Sequence, residues 1–408
     1  MGDMSRRELA GTLGAGALLQ AAATRSRYIV IGAGVFGAWT AYHLRRAGHD
    51  VVLLDQYGPA SSRASSGGES RIIRASYGAD EVYTRMAVRS MPLWSAFFAR
   101  AGQDLLHRTG VLWLAKPGNA YAQQSRETLR RVGVAFEDLS AADLKRRYPQ
   151  IHIDPDTVAI FEPDSGALMA REAVAAVVDQ FVRDGGEYRH AAVRPPKGSG
   201  GTLHEVLTTV GESVVGDAYI FACGPWLGRV LPDVLGHRIF VTRQDVLFFG
   251  IAPGDRRFEP PLMPVWIDFS DNRGMYGFPD LERRGFKVAF DLHGPPFDPD
   301  TENRFVPEDK VKQAREYVKE RFPALAEAPV VDSRVCQYEN TSNGDFVIDR
   351  HPELTNVWIA GGGSGHGFKH GPAVGEYVAA RVTGAATPPL EPRFSLASKQ
   401  TEEKRAVY

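Results

Sequence analysis

The sequence of 408 residues predicts a chain of two domains, one α/β and the other α+β. Two glycine-rich turns, each between a strand and a helix, occur at 28–44 and 356–375. Such turns are typical of a parallel sheet that binds a nucleotide. Between them, at 238–290, short strands alternate in a pattern typical of an antiparallel sheet. We therefore predict a Rossmann-like domain and a second domain built on a mostly antiparallel sheet.

The composition excludes several classes of protein. Hydrophobic residues make up 43% of the chain, which is ample for globular cores, and the formal net charge is -1. Because basic and acidic residues are interleaved, no basic field exists to hold a nucleic-acid backbone. The two cysteines, Cys223 and Cys336, lie far apart and exclude a disulfide framework. No zinc or iron ligand cluster is evident, so no metal is expected.

Residues 1–27 differ in character from those that follow. Ser5, Arg6 and Arg7 precede a weakly apolar run that ends in small residues at 21–23. The run is too short and too rich in glycine to span a membrane. We interpret the segment as a twin-arginine export signal, with a disordered extension as the alternative. The first interpretation predicts a periplasmic or exported protein, and the second predicts a cytoplasmic one.

The segment 28–55 carries the fingerprint of a dinucleotide-binding domain in its required context: strand, tight turn, helix, and a second strand that ends in an acid. Gly32 permits the turn, Gly34 lets a pyrophosphate approach, and Gly37 lets the helix pack on the sheet. Asp55 can accept hydrogen bonds from both ribose hydroxyls. The residues of this segment expected to contact the cofactor are Gly32, Gly34, Val35, Phe36, Gly37 and Asp55.

The second turn follows a short apolar strand near the C-terminus. Its glycines Gly363, Gly365 and Gly367 let backbone amides approach a ligand closely. The helix that begins near Phe368 directs its positive end to the same place. Two distant turns of this kind must share one cofactor or serve two, and sharing is the more economical interpretation.

The other elements follow from periodicity and composition. A loop rich in serine and glycine at 60–78 is long enough to be functional. Helices are predicted at 81–101, 121–132, 141–147, 169–183 and 307–321, and strands at 111–115, within 205–215 and at 218–226. The predicted nucleotide-binding domain is discontinuous and comprises 28–95, 160–235 and 330–386. The second domain comprises 96–159 and 236–329, and residues 387–408 form a tail that is surface-bound or disordered.

Five further motifs occur in order along the chain: ESRIIRASYG at 69–78, FEPDSGAL at 161–168, GFKVAFDLHG at 285–294, CQY at 336–338 and SGHGFK at 364–369. In these motifs and in the dinucleotide fingerprint, the chain resembles the monomeric sarcosine oxidase and N-methyltryptophan oxidase family, within the fold group of glycine oxidase and D-amino-acid oxidase. The resemblance covers residues 28–384 and implies an FAD-dependent oxidase of secondary amines.

The resemblance implies roles for two residues beside the flavin. In the family, a cysteine at the position of Cys336 forms a thioether to the 8α-methyl group of FAD. Such a sulfur needs to be exposed and activated, and Arg334 lies two residues away. Lys287 matches the lysine that stands over the flavin and promotes its reoxidation by O2. A positive charge fixed in a dry site would stabilise developing superoxide.

Arg74 and Lys369 match the pair that holds the substrate carboxylate in the family. A guanidinium binds a carboxylate with a planar fork, and an ammonium adds a point charge, so the pair would orient an amino acid over the flavin. Arg71 is predicted to face the flavin or to support the loop. These matches imply a carboxylated substrate.

The remaining candidates line the implied pocket. Tyr276 and Tyr338 resemble its aromatic residues, and His366 could donate a hydrogen bond near the ring. Asp291 stands where sarcosine-type enzymes have a histidine, and Ser66, followed by two glycines, replaces another family histidine. An acid near the substrate amine would favour a more basic or polar substrate, or would pair with a neighbouring cation. Both departures bear on whether the substrate is sarcosine itself.

The implied reaction oxidises an N-methyl or other N-substituted amino acid to an imine, which water hydrolyses, while O2 is reduced to hydrogen peroxide. The expected partners are a carboxylated amine and O2, with neither nucleic acid nor membrane, and the expected state is a monomer. Three alternatives stay open: a same-fold dehydrogenase that passes electrons to a quinone or carrier protein, a nicotinamide-dependent dehydrogenase, and a non-catalytic flavin-binding protein.

Overall fold

A computed structural model describes residues 25–384 and 390–403. Residues 1–24, on which the prediction of an export signal depends, lie outside this part of the chain. Within the described ranges, no helix is both long enough and apolar enough to cross a membrane.

The described residues form strands and helices with the following bounds. The strands are β1 Arg27–Ile31, β2 Asp50–Asp55, β3 Ser70–Ile73, β4 Leu106–His107, β5 Val111–Ala115, β6 Glu137–Leu139, β7 Val158–Glu162, β8 Gly166–Met169, β9 Glu187–His190, β10 Glu205–Leu207, β11 Ser213–Val215, β12 Ala218–Phe221, β13 Phe240–Phe249, β14 Val265–Phe269, β15 Met275–Phe278, β16 Phe286–Phe290, β17 Val330–Asn340, β18 Val347–Arg350 and β19 Val357–Gly361. The α-helices are α1 Val35–Arg46, α2 Glu81–Ala101, α3 Ala120–Val132, α4 Ala141–Arg147, α5 Ala170–Arg183, α6 Leu227–Val230, α7 Pro232–Leu235, α8 Glu308–Arg321 and α9 Gly371–Thr383. Short 3-10 helices cover Gly224–Trp226, Arg256–Phe258, Pro323–Leu325, Phe368–His370, Pro392–Phe394 and Leu396–Ser398.

The first sheet has six strands in the order β18-β19-β12-β1-β2-β9. All neighbouring strands are parallel except β18 and β19. β1, β12 and β19 are apolar and almost wholly buried, as expected for a parallel sheet covered on both faces. Helices α1 and α9 pack closely, since a Cβ added to Gly375 would lie 2.6 Å from the backbone of Trp39. The Rossmann-like architecture is as predicted.

The second sheet has eight strands in the order β17-β13-β16-β15-β14-β5-β7-β6. Every pair is antiparallel except β14 with β5. The charged helix α8 buries Ala314, Tyr317 and Val318, and Tyr317 stacks on Trp266 with ring centroids 5.6 Å apart. This packing explains why a helix with so many charged residues stays attached to the sheet.

Two segments differ from the sequence predictions. The predicted boundaries assign 330–386 to the nucleotide-binding domain, yet β17 pairs along its length with β13 of the second sheet. Cys336 therefore lies on the second sheet, opposite Gln244. Within the predicted loop at 60–78, residues 70–73 form β3 and pair with β8. So short a strand, which itself contains Ser70 and Arg71, has no periodicity that a sequence window could detect.

Residues 390–403 of the tail are bound to the surface of the molecule. Arg393 pairs with Asp345 at 2.8 Å and with Asp80 at 2.7 Å. Glu403 pairs with His293 at 2.7 Å, two residues beyond Asp291 in sequence. Composition could not distinguish a bound tail from a disordered one, because its partners lie far away in the chain.

Candidate active site

A cavity of about 350 Å³ lies where the two glycine-rich turns meet. Tyr338 of β17 also borders this cavity, so the second sheet contributes to its wall, and Arg71 of β3 borders the cavity as well. The predicted cofactor residues that line it are Gly32, Gly34, Val35, Phe36, Asp55, Ser66, Arg71, Gly363, Gly365 and Gly367. The structure therefore brings turns from opposite ends of the sequence to one space, in which a single ligand can contact both.

The first turn depends on its glycines for steric reasons. Gly32 has φ +104, and a Cβ there would lie 2.3 Å from the carbonyl oxygen of Ala222. A Cβ on Gly37, which does not line the cavity, would lie 1.8 Å from the oxygen of Gly32. At the start of α1, the Val35 amide donates to Ser66 Oγ at 3.1 Å. No acid occupies the first turn of α1, which leaves its positive end suited to an anion.

Asp55 ends β2 at the cavity wall, but its carboxylate is already occupied by backbone. Oδ2 accepts from the Ala33 amide at 2.7 Å, and Oδ1 accepts from the amides of Tyr57 and Gly58, both at 2.8 Å. Burial raises the pKa of Asp55, although these bonds oppose the shift. The side chain thus fixes the loops around the cavity, and a ribose would share an oxygen that also holds the protein backbone.

The second turn is also sterically restricted to glycine. Gly365 has φ +79, and a Cβ there would lie 2.7 Å from the Tyr338 ring. A Cβ on Gly367 would lie 3.0 Å from the ring of Phe36 in the first turn. The two turns therefore touch each other directly. The predicted helix start near Phe368 is a 3-10 turn that continues into α9.

Glu339 is a cavity residue that sequence reasoning missed. Its Oε1 accepts from the Gly363 amide at 3.0 Å, while Oε2 is buried and has no hydrogen-bond partner among the described residues. Burial raises the pKa of Glu339 to about 7, although the bond from Gly363 opposes the shift. The only available signal was its position directly after the CQY motif. A ligand hydroxyl group could satisfy the unpaired oxygen.

Cys336 is buried, and the cation beside its sulfur differs from the one predicted. Arg71 Nη2 lies 3.2 Å from Cys336 Sγ. Arg334 instead donates to the Gly67 carbonyl at 2.6 Å and pairs with Glu69 at 3.2 Å. Residues 334 and 336 share a face of β17, but the contacts with Gly67 and Glu69 hold the Arg334 guanidinium, and Arg71 makes the hydrogen bond to the sulfur. Cys336 is not itself a lining residue of the cavity, whereas Arg71 is.

Lys287 lies on β16 and is almost fully buried, with 2% of its surface exposed. Its Nζ donates to the carbonyl and the hydroxyl of Ser70, at 3.1 and 3.2 Å, and lies 4.4 Å from the centroid of the Phe278 ring. Burial, followed by the charge of Arg71, lowers the pKa of Lys287 to about 7. Lys287 lines neither of the two cavities that Arg71 lines. Its hydrogen-bond partner Ser70 directly precedes Arg71 in sequence, so the two cationic side chains are close enough for the charge of Arg71 to act on Lys287.

A smaller cavity of about 50 Å³ adjoins the large one. The two share Arg71, Tyr338, Gly365 and Phe368 as lining residues. The predicted substrate residues that line the smaller cavity are Arg74, Tyr276, Asp291, Tyr338, His366 and Lys369. The structure therefore places all the predicted catalytic residues except Lys287 around this one cavity.

Arg74 and Lys369 are both buried and both approach Tyr77. The guanidinium of Arg74 lies 4.2 Å from the Tyr77 ring centroid and 4.7 Å from that of Trp113, and it donates to the Ser76 carbonyl. Lys369 Nζ donates to the Tyr77 hydroxyl at 2.9 Å. Burial, followed by the charge of Arg74, lowers the pKa of Lys369 well below its usual range. The carboxylates of Asp291 and Glu162 offset part of the charge of these two adjacent buried cations, but neither forms an ion pair with them within the described ranges, so the cavity favours an anionic ligand.

Tyr77 and His370 extend this cluster and were absent from the sequence predictions. The Tyr77 hydroxyl lies 2.7 Å from His370 Nε2, so it donates to the ring and accepts from Lys369. Burial, followed by the charge of Lys369, lowers the pKa of His370 well below its usual range, which keeps the ring neutral. His366 Nε2 lies 2.9 Å from the Gly344 carbonyl and therefore donates to backbone. This hydrogen bond gives His366 a structural role, because it ties the second turn to the backbone at Gly344.

These features fit FAD. A dinucleotide requires glycines at its pyrophosphate, a helix N-terminus and acceptors for its hydroxyl groups. The large cavity offers the first two at Gly34 and the start of α1, and the third at Glu339 Oε2. The smaller cavity adjoins the large one, so a substrate bound in the smaller cavity would lie next to FAD.

Comparison with known proteins also indicates an FAD-binding protein. The sequence profile of the family described as FAD dependent oxidoreductase matches residues 27–381. The monomeric sarcosine oxidase of Streptomyces avermitilis is 32% identical over 373 residues, which cover 89% of this chain and 95% of that protein. The peroxisomal sarcosine oxidase of Homo sapiens is also 32% identical, over 85% of this chain and 90% of that protein. The crystal structure of an L-proline dehydrogenase from P. horikoshii has a TM-score of 0.80 at 22% identity, over 91% of this chain and 97% of that one, and so shares the fold. The chain therefore belongs to the FAD dependent oxidoreductase family, among relatives that are sarcosine oxidases, and its cofactor is FAD.

Proposed function

We propose that this flavin-dependent amine oxidoreductase is an oxidase of secondary amines whose substrates are N-methyl or other N-substituted amino acids. The products are an imine, which water hydrolyses to an amine and a carbonyl compound, and hydrogen peroxide. The observation that carries the proposal is the pair of buried cations, Arg74 and Lys369, in a cavity that shares Arg71, Tyr338 and Gly365 with the FAD cavity.

Bound FAD would supply the acceptor for a hydride equivalent, that is two electrons and one proton, from the carbon of the CH–NH bond. The protein's part is to orient the substrate. Arg74 provides the planar fork for the carboxylate, and Lys369 provides a second charge, fixed by its hydrogen bond to Tyr77. The rings of Tyr276 and Tyr338 border the same cavity and limit the access of water. The positive end of the helix that follows Gly367 favours negative charge on the cofactor.

Lys287 has a separate role in this proposal. Its ammonium is held by Ser70 in a dry environment and would attract electron-rich oxygen species during the reaction with O2. Because burial lowers its pKa to about 7, the charge is present below that pH and declines above it. We expect the reaction with O2 to slow as pH rises through this region.

Cys336 is proposed to attach FAD covalently through a thioether at the 8α-methyl group. The contact of 3.2 Å between Arg71 Nη2 and Cys336 Sγ supports this, because reactive cysteines typically lie beside a cation. We expect acid precipitation of the wild-type protein to leave the yellow colour in the pellet. Cys336→Ser should release FAD into the supernatant and Cys223→Ser should not, because burial raises the pKa of the Cys223 thiol far above its usual range. Release of FAD from the wild-type protein would contradict the attachment.

The experiment that tests the proposed function is a peroxide-coupled screen in air. Purified protein is mixed with N-methyl amino acids, cyclic imino acids and glycated amino acids, and with amines of matched size that lack a carboxylate. We expect peroxide equimolar with consumed substrate, and only from the carboxylated compounds. Substrate consumption without peroxide would show that a quinone or carrier protein is the electron acceptor, and equal rates on simple amines would contradict the role of the two cations.

A further inference from the structure

The carboxylate of Asp291 is a poorly paired acid in the wall of the smaller cavity. Asp291 follows β16, and its backbone amide donates to the Gly274 carbonyl at 2.8 Å. Its Oδ1 accepts one hydrogen bond, from the Tyr338 hydroxyl at 3.3 Å. No cation within the described ranges forms an ion pair with it. One neutral hydrogen bond at this length leaves most of the acceptor capacity of a carboxylate unused.

The groups around Asp291 are mostly cationic or neutral. The charged and titratable groups that face it from the surrounding elements are Arg71 on β3, Arg74 after β3, Tyr276 on β15, Tyr338 on β17, His366 and Lys369 in the second turn, and the His293–Glu403 pair beyond β16. Burial raises the pKa of Asp291 to about 7, against the opposing influence of Arg74, Tyr338 and Lys369. The carboxylate can therefore bind and release a proton near neutral pH.

The proposed substrate creates a need for such a group. An N-alkyl amino acid is an ammonium zwitterion in neutral water, and an ammonium nitrogen has no lone pair to assist the loss of hydride from its neighbouring carbon. A proton must leave the nitrogen first. Among the ionisable side chains that line the cavity, arginine cannot accept it. Lys369 Nζ donates to the Tyr77 hydroxyl, and His366 donates through Nε2 to the Gly344 carbonyl while its Nδ1 lies 3.4 Å from that same hydroxyl. Burial raises the pKa of Tyr276 to about 12 and the pKa of Tyr338 well above its usual range.

We propose that Asp291 is the base that accepts the proton of the substrate ammonium before oxidation, while Arg74 and Lys369 hold the substrate carboxylate. The step transfers one proton: the ammonium and the carboxylate become a neutral amine and a carboxylic acid, and no electrons move. Oxidation of the CH–NH bond by FAD follows. The inference rests on the proposed function, and it identifies the substrate as a zwitterion that binds with its cation toward Asp291.

The kinetic test is anaerobic stopped-flow reduction of the holoenzyme by saturating N-methylglycine across a range of pH. For the wild-type protein, we expect the rate of flavin bleaching to rise through about pH 7 and then to level. For Asp291→Asn, a side chain of the same size, we expect a rate at pH 7 that is lower by roughly 100-fold, the usual contribution of a general base. In this variant, the pH at which the rate of flavin bleaching rises should move toward the pKa of the substrate amine in water. At high pH, the variant should reach the rate of the wild-type protein. Asp291→Glu should recover part of the loss, and Asp332→Asn, an exposed acid on β17, should match the wild type.

A binding test needs no turnover. Dimethylsulfonioacetate and (methylthio)acetate differ by one methyl group and one positive charge, and their binding perturbs the flavin absorbance. We expect the wild-type preference for the cationic ligand to increase as pH rises through about 7, and Asp291→Asn to show no such increase.

Two outcomes would overturn the inference in distinguishable ways. Wild-type and Asp291→Asn proteins with the same pH profile and the same ligand preference would remove the role of Asp291 and leave the oxidase assignment intact. A wild-type flavin that no N-alkyl amino acid bleaches at any pH would remove both.

Discussion

Lys287→Met is expected to slow the reaction of the reduced enzyme with O2 by roughly 100- to 1,000-fold, the usual cost of removing one preorganised electrostatic group. Reduction by substrate should change only a few-fold, because Lys287 does not border the cavity that holds Arg74 and Lys369. The methionine side chain has a similar length and suits a site between Phe278 and other apolar residues. Stopped-flow traces of the two half-reactions, recorded separately, provide the measurement.

Two controls distinguish a lost charge from a damaged fold. Lys312→Met removes an exposed lysine of α8 and should leave both half-reactions unchanged. Lys369→Met should produce the opposite pattern, with slower reduction by substrate and little change with O2. Equal losses in both half-reactions for Lys287→Met would contradict the assignment of this residue to oxygen chemistry.

Arg74→Ala is expected to weaken kcat/KM for N-methylglycine by roughly 10- to 100-fold, the range for one hydrogen-bonded interaction with a charged group. The reason is the loss of the fork that binds the carboxylate in the smaller cavity. The decisive readout is a comparison with the methylamide of the same amino acid, which lacks the charge. The wild-type protein should strongly prefer the acid, whereas the variant should treat the two compounds almost alike.

The comparison of two substrates guards against a structural explanation. Arg74 packs between Tyr77 and Trp113, so its removal also creates a cavity. A purely structural defect would lower the rates on the acid and the amide together, and it would shift the flavin spectrum. Arg108→Ala, which removes an exposed arginine, should preserve the preference of the wild type. Unchanged preference in Arg74→Ala would contradict the carboxylate-binding role.

Local sequence was sufficient for the parts of the site that depend on backbone sterics. At Gly32, Gly37 and Gly365, a Cβ would overlap backbone or an aromatic ring, so these positions accept only glycine. The buried strands β1 and β19 could also be predicted from local sequence, because continuous apolar runs before such turns are typical of parallel sheets. These local signals predicted that both turns belong to one nucleotide-binding sheet.

The rest of the site depends on contacts between distant segments. Sequence proximity favoured Arg334 as the cation beside Cys336, but strand pairing brings Arg71 there instead. Tyr77 gave no signal, because a buried tyrosine bonded to both Lys369 and His370 looks like any other core tyrosine before the fold is known. In each case the partner lies hundreds of residues away, and only tertiary structure shows the pair.

The central claim is that both ends of the chain bind one FAD that takes electrons from a carboxylated secondary amine. Its most direct test is an anaerobic titration of the purified holoenzyme with N-methyl amino acids, followed by admission of O2, with the absorption spectrum recorded throughout. We predict a yellow protein whose flavin bands disappear on addition of the amino acid and return with O2, together with equimolar peroxide. A colourless protein, or a flavin that none of these amino acids bleaches, would contradict the account.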